Sequence, residues 1–230
     1  MTLDAAPAHA AREQLAQLAA SPAEWNARLR ALPSVERPRD AAVLILFGVL
    51  DDLPAERSAQ DAAVSRDLDV LLLARATTLR AHPGQVAFPG GRVDPGDDGP
   101  VAAAMREARE ETGLDPDGID VLGALPPLPL EYSGHLVTPV LGWWRRPSAV
   151  RVVDVAESAA VFRAPVADLL DPGSRGVTVI HRDGAEWSAP AFEVAGRLVW
   201  GFTAIVLDAL FDRLGWTEPW DRTRELPLPG

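Results

Sequence analysis

The segment from residue 85 to residue 113 constrains the fold of this chain most strongly. A short apolar run with strand character ends in Pro-Gly-Gly at 89–91, and a helical pattern follows from about 100 to 112. Pro100 suits the first turn of a helix, and Gly113 suits the left-handed residue that ends one. The segment therefore predicts a strand, a glycine turn that permits close backbone approach, and a helix.

Three glutamates crowd one side of this helix. Glu107 and Glu111 are four residues apart and stack on one face, and Glu110 lies beside Glu107, so the three carboxylates are expected to converge. Like charges at this spacing destabilise a helix by roughly 0.2–0.5 kcal/mol per pair unless cations compensate them. Arg106 and Arg109 would do so on a solvated face. The alternative is a hard divalent cation, which takes several oxygen ligands.

Composition restricts the chemistry of such a site. The chain has 230 residues, 47% of them hydrophobic, no cysteine and four scattered histidines, and its formal net charge is −11. The absence of cysteine excludes disulfides, thiolate nucleophiles and zinc sites built on sulfur, so a metal must be held mainly by oxygen. The acidic balance argues against binding nucleic acid or anionic lipid. An anionic substrate then requires a local cation or clustered arginines.

No segment predicts a membrane span or an export signal. The longest apolar run, residues 41–50, is about half of what a bilayer-spanning helix needs and indicates a buried strand. The first residues lack the basic start and apolar stretch of a secretory signal, which makes a cytoplasmic protein the expectation.

The chain is long enough for one large domain with extensions. We expect an Ala-rich helical extension over 1–36 that packs on a main domain over 37–215, and a tail over 216–230 whose end, 225–230, is frayed. Mixed strands with a few helices predict the α+β class. Strands are predicted at 41–48, 69–75, 85–88, 119–124, 136–144, 159–164, 177–181 and 190–200, and a closing helix from Trp200 or Phe202 to Leu214.

Residues 106–114 resemble the signature of the Nudix hydrolases. The second half of that signature reads Arg-Glu-aliphatic-any-Glu-Glu-any-Gly-aliphatic, which this chain fills with Ala108 small for its position. The first half, a Gly, five residues, a Glu and seven more, is irregular: counting forward from Gly91 gives Asp97, and counting back from Arg106 gives Asp98. Either aspartate fits the acidic position, and an aspartate here could equally serve only as a helix cap.

The resemblance narrows upstream to the coenzyme A pyrophosphatase branch. There, Arg-any-His-any-Gly-Gln-Val precedes Phe-Pro-Gly-Gly, as it does at 80–91. Segments at 133–140, 169–172 and 200–204 also resemble this branch, and the likeness runs from about 40 to 212.

The resemblance implies a Nudix fold, an α/β/α sandwich around a mixed β-sheet. It also implies a hydrolase that uses Mg²⁺ or Mn²⁺ to split the pyrophosphate of coenzyme A into 4′-phosphopantetheine and adenosine 3′,5′-bisphosphate. The expected partner is therefore a small nucleotide, and the chain is expected to be a monomer or a homodimer. The alternatives are a Nudix pyrophosphatase for ADP-ribose or a dinucleotide, and a non-catalytic nucleotide-binding module.

Roles follow for the residues of the signature. Glu107, Glu110 and Glu111, with the backbone of Gly91, are the implied metal ligands, and Glu110, Glu107 and Arg106 are the implied catalytic residues. Glu110 is the preferred general base, because a base must be a carboxylate within reach of the attacking water.

Other acids are candidates for an auxiliary role. The branch carries a second Glu where this chain has Ala160, which leaves Glu157 as a further candidate. The possible auxiliary acids are thus Asp97, Asp98 and Glu157.

Four residues are candidates for binding the substrate: Arg80, His82, Gln85 and Ser133. Arg80 offers a planar fork to phosphate oxygens, or alternatively pairs with a surface acid. His82 could instead fix the loop, and Gln85 could satisfy backbone groups within it.

Overall fold

The computed structural model describes residues 5–22, 25, 38–49, 55–76, 84–130, 133–182 and 185–229. Most of the predicted helical extension beyond residue 22 lies outside these ranges, as do Arg80 and His82. Among the described residues, no helix is both long enough and apolar enough to cross a membrane.

A mixed sheet forms the centre of the molecule. Its strands are β1 Arg39–Val49, β2 Leu68–Arg75, β3 Val86–Ala87, β4 Gly90–Arg92, β5 Ile119–Ala124, β6 Leu128–Leu130, β7 His135–Trp144 and β8 Ser158–Pro165. The main path of the sheet runs β3-β2-β1-β7-β5, with β4 paired to β1, β6 to β7 and β8 to β2. The central pair β1 and β7 is parallel and its neighbours are antiparallel, so the predicted mixed sheet is confirmed.

Helices cover both faces of this sheet. The helices are α1 Ala5–Ala20, α2 Gly99–Thr112, α3 Val166–Leu170 and α4 Phe202–Leu214. Side chains alternate along β1, so Leu44 and Leu46 pack against α2 while Ile45 and Phe47 enter a larger core with α1, α3 and α4. The predicted α+β sandwich of helices around a sheet is therefore confirmed.

Two predicted strands differ from the structure. The strand predicted at 85–88 is β3 alone, and β4 follows after Pro89, which has no N–H for a sheet ladder. The strand predicted at 190–200 is two strands, β10 Ala185–Val194 and β11 Arg197–Val199, separated by a turn at Ala195 and Gly196, where both residues have positive φ. With β9 Arg175–Arg182 they form a second, three-stranded sheet.

The expectation of a frayed tail is wrong for the described part of the C-terminus. Leu226 is 4% exposed, and Glu225 bridges to Val177 of β9. Earlier in the tail, the Trp216 ring meets Phe47 edge-on, with 6.2 Å between centroids, and its indole N–H donates to Gln14 of α1. Burial of these large apolar side chains outweighs the entropy of a free end.

Candidate active site

Small side chains bring α2 close to the sheet. Ala103, Ala104 and Ala108 are fully buried against Ala42 and Leu44 of β1. Ala108, which is small for its position in the signature, thus lies at the contact itself. The close approach sets the glutamates of α2 level with β4.

The ends of α2 are those that the sequence predicts. Pro100 lies in the first turn, and Gly113 closes the helix with φ 68° while its N–H donates to the carbonyl of Arg109. Asp98 occupies the N-cap position, but its side chain makes no capping hydrogen bond.

The glycine turn touches two of the glutamates. The Gly90 N–H donates to Glu111 Oε2 over 2.9 Å. A Cβ added at Gly91 would lie 2.4 Å from Glu107 Oε1, so this carboxylate rests directly on the Gly91 backbone. The close backbone approach predicted from Gly-Gly is therefore present on the side of α2 that carries Glu107 and Glu111.

Asp97 is the aspartate that joins the signature arginine. Arg106 Nε donates to Asp97 Oδ1 and Arg106 Nη2 donates to Asp97 Oδ2, each over 2.9 Å. This fork, with a backbone hydrogen bond at Asp94, lowers the pKa of Asp97. The same Nη2 also donates to the carbonyl of Arg92, so Arg106 fastens the connection between β4 and α2 to the helix.

Arg106 also separates Glu110 from the glycine turn. Its Nη1 lies 3.0 Å from Glu107 Oε1 and 3.1 Å from Glu110 Oε2. The Glu110 side chain is 58% exposed, whereas Glu107 is 20% exposed. Within the described ranges, no three His, Cys, Asp or Glu side chains lie close enough together to hold a metal ion. Of the three carboxylates that were expected to converge, only those of Glu107 and Glu111 do so. Glu110 and Glu111 are consecutive residues and therefore point in directions about 100° apart round the helix.

The paired carboxylates resist ionisation. Burial, with smaller contributions from the charges of Glu107 and Glu157, raises the pKa of Glu111, and the Gly90 N–H and the charge of Arg75 lower it, so that the pKa is about 7. Burial likewise raises the pKa of Glu107 in spite of Arg106. Two half-buried, mutually repelling carboxylates are hard oxygen donors that a divalent cation would stabilise, so this donor set fits Mg²⁺ or Mn²⁺.

Glu157 lies on the same side as Glu111, and position 160 does not. Glu157 stands in the turn before β8, where its carbonyl accepts a hydrogen bond from the Ala76 N–H over 2.8 Å. Along β8, Val161 packs against the α2 side and Phe162 against the opposite core. Ala160 therefore faces away from α2, and a carboxylate there would not point at Glu111.

Gln85 and Ser133 are both engaged in loop contacts. The Gln85 carbonyl accepts from the Arg75 N–H over 3.0 Å, and its amide nitrogen packs so closely on Gly201 that a Cβ there would lie 2.9 Å away. The Ser133 carbonyl accepts a hydrogen bond from Arg39 Nη2 over 2.8 Å, and the Ser133 Oγ lies 2.9 Å from His135 Nδ1. Their roles with substrate stay predictions.

Arg75 is a residue at this site that sequence reasoning missed. It ends β2, its charge acts on Glu111, and its Nε is buried with no hydrogen-bond partner among the described residues. The only signal in the sequence is a cation directly after the apolar run 70–74 of this strand.

Comparison with known proteins agrees with this geometry. A family model described as the NUDIX domain matches residues 56–172. A protein of Cronobacter sakazakii named Uncharacterized Nudix hydrolase NudL is 42% identical over 146 residues, which cover 64% of this chain and 75% of that protein. A protein of the same name from Photorhabdus laumondii is 38% identical over 141 residues, covering 61% and 74%.

A solved structure titled as a MutT NUDIX hydrolase from Burkholderia pseudomallei is also similar. It has a TM-score of 0.44 at 18% identity and covers 76% of this chain and 99% of that one. The family model and the two relatives, together with the strand, glycine turn and glutamate helix described above, show that this chain belongs to the Nudix family of hydrolases, which act on pyrophosphate bonds.

Proposed function

We propose that this protein is a metal-dependent pyrophosphatase that hydrolyses the diphosphate of coenzyme A to adenosine 3′,5′-bisphosphate and 4′-phosphopantetheine. The pairing of Glu107 with Glu111 against the Gly90-Gly91 backbone carries the pyrophosphatase part of the proposal. A cation held there would attract an anionic diphosphate, which the net charge of −11 on this chain otherwise repels.

The substrate part rests on two segments that resemble the coenzyme A branch, 84–91 and 200–204. They are 109 or more residues apart in sequence yet in contact, since the Gln85 amide packs on Gly201. In addition, Thr203 Oγ1 donates to the Val86 carbonyl over 3.1 Å. The contact supports a common role for the two segments next to the glycine turn.

Four residues of the chain would hold the cation or position the residues that hold it. Glu107 and Glu111 would hold the cation, and Arg106 holds Glu107 in place while Asp97 holds Arg106. When bound there, a cation would neutralise charge on the phosphate oxygens and lower the pKa of the attacking water.

A carboxylate must then take the proton of the attacking water. The candidates for this step are Glu110, which is exposed beside Arg106, and Glu157, whose charge acts on Glu111. The proton leaves the water as its oxygen bonds to phosphorus, and the bridging oxygen departs with the other phosphate.

The experiment is a substrate panel with product identification. The purified protein is incubated with coenzyme A, ADP-ribose and diadenosine tetraphosphate, each with Mg²⁺ or Mn²⁺, and the products are identified by mass. We expect adenosine 3′,5′-bisphosphate with phosphopantetheine to form fastest. Faster turnover of ADP-ribose or the dinucleotide would overturn the coenzyme A assignment. No turnover of any substrate would overturn the pyrophosphatase proposal and favour a nucleotide-binding module.

A further inference from the structure

Arg75 faces the same side of the sheet as the glutamates. Side chains alternate along β2, so Arg75 shares a face with Leu71 and Leu73. Leu71 is buried in the cluster that contains Ala104 and Ala108 of α2. The register between β2 and β8 shifts just after Ala74, and the extra residue lies in β8, so this alternation holds to the end of β2.

Three parts of the site meet around Arg75. Its own N–H donates to the carbonyl of Gln85, which leads into the glycine turn. The next residue, Ala76, donates to the carbonyl of Glu157. Helix α2, which carries Glu111, packs on this same face of the sheet, since Leu71 lies in one cluster with Ala104 and Ala108. Arg75 therefore lies where the glycine loop, the turn before β8 and the face of the sheet that packs on α2 come together.

One donor of the Arg75 guanidinium has no partner among the described residues. Its Nε is buried and has no hydrogen-bond partner within the part of the chain that the structure describes. By contrast, Arg106 donates to Asp97, Glu110 and the Arg92 carbonyl. A buried donor without an acceptor costs free energy, and a substrate oxygen that accepts from Nε would remove that cost.

We propose that Arg75 binds a phosphate oxygen of the diphosphate substrate, with its Nε–H as a donor, next to the cation held by Glu107 and Glu111. This inference rests on the proposed pyrophosphatase function. The planar guanidinium matches the spacing of phosphate oxygens and keeps its charge at every working pH. The non-bridging oxygens are charged before and during the reaction, so Arg75 would act both in binding and in the transition state.

The test compares Arg75→Gln and Arg75→Lys with Arg213→Gln. Arg213 is an exposed arginine in the last turn of α4, on the opposite face of the sheet, and its substitution makes the same charge change away from the site. Steady-state kcat and KM are measured on coenzyme A and on ADP-ribose with Mg²⁺, and the melting temperature is measured without substrate.

We expect Arg75→Gln to lower kcat/KM by about 10- to 100-fold, with a raised KM, on whichever of these diphosphates the wild type cleaves. Arg75→Lys keeps the charge but loses the fork, so it should recover part of the loss. Arg213→Gln should be unchanged. Because Nε has no protein partner to lose, the melting temperature of Arg75→Gln should equal or exceed that of the wild type.

Two results would overturn the inference while leaving the proposed function in place. One is an unchanged kcat/KM in Arg75→Gln. The other is a lowered melting temperature with a loss of activity that Arg75→Lys reverses in full, which would assign Arg75 a structural role. A wild type that cleaves neither substrate would overturn the proposed function itself, and this inference with it.

Discussion

Arg106 and Asp97 are joined by two parallel hydrogen bonds, Nε to Oδ1 and Nη2 to Oδ2, each 2.9 Å long. The Asp97 side chain is 7% exposed, and the Arg106 side chain is 28% exposed. The same guanidinium reaches Glu107 over 3.0 Å. The loop between β4 and α2 therefore fixes the position of a glutamate of the candidate site through one arginine.

The two neighbouring aspartates give a matched pair of variants. Asp97→Asn removes the charge that Arg106 binds, so we expect a melting temperature lower by several degrees and reduced turnover. Asp98→Asn changes the same charge one residue away, where the side chain makes no capping hydrogen bond, and should shift the melting temperature by no more than about 1 °C. Calorimetry and kinetics on both variants check this. Equal effects would mean that the Arg106 fork does not anchor the loop.

The two glycines of the turn are predicted to fail in different ways. A Cβ at Gly90 would lie 2.3 Å from the Ala42 carbonyl oxygen and 2.6 Å from Val43 Cα, which are backbone atoms of β1. Gly90→Ala should therefore lower the free energy of unfolding, on the order of 2 kcal/mol. The three atoms nearest to a Cβ at Gly91 all belong to the Glu107 carboxylate, which can move.

Gly91→Ala should consequently fold with near-normal stability but lose about 10²-fold in kcat/KM, since a misplacement of about 1 Å at a reacting group has that effect. Denaturant unfolding and kinetics on the two variants separate the cases. Full activity in Gly91→Ala would show that Glu107 need not rest on the turn.

Glu111 makes stability fall as the pH rises. Its pKa is about 7 in the folded chain against 4.5 for the unperturbed group, so between these values the folded state holds a proton that the unfolded state has lost. The free energy of unfolding should decrease between pH 4.5 and 7 and level off above. Glu111→Gln keeps an acceptor for the Gly90 N–H and removes the charge. Without metal it should be more stable than the wild type at pH 8, on the order of 2 kcal/mol, and similar to it at pH 4.5.

Asp69 supplies the control for this pH dependence. It is 3% exposed in β2, and burial raises its pKa to about 7 as well. Asp69→Asn should remove a second part of the same decline in the free energy of unfolding while leaving turnover unchanged. If neither variant alters the pH dependence of unfolding, the burial of these two carboxylates is not its source.

Glu110 and Glu157 are the two acids proposed for the water proton, and the pH dependence of kcat distinguishes them. The acid that serves as the base should, when changed to Gln, lower kcat by about 10²- to 10⁴-fold and abolish the acidic limb of the profile. The other substitution should change kcat by less than about 10-fold. A full acidic limb in both variants would exclude both residues as the base.

Local patterns determined how much of the fold could be predicted. The helix predicted from 100 to 112 is α2, Gly99–Thr112, because Pro100 and Gly113 mark its ends within a few residues of sequence. The strand predicted at 119–124 is β5, Ile119–Ala124. The fixed tail was not predictable, because it depends on Glu225 meeting Val177, nearly fifty residues away.

The candidate site was predictable only where the spacing of residues along one helix determines which side chains are adjacent. Glu107 and Glu111 are adjacent because they are four residues apart, and the glycines meet them as expected. Counting could not choose between Asp97 and Asp98, because one extra residue enters the loop and its path decides which acid reaches Arg106. Arg75 was missed because only the pairing of β2 beside α2 brings it to Glu111.

The most direct measurement is hydrolysis of coenzyme A by the wild type and by Glu111→Gln, each with Mg²⁺ and with the metal removed by EDTA, with products identified by mass. We expect adenosine 3′,5′-bisphosphate and phosphopantetheine from the wild type with metal, and a loss of at least about 10²-fold when either the metal or the Glu111 charge is removed. Hydrolysis that persists in EDTA, or at the wild-type rate in Glu111→Gln, would contradict it.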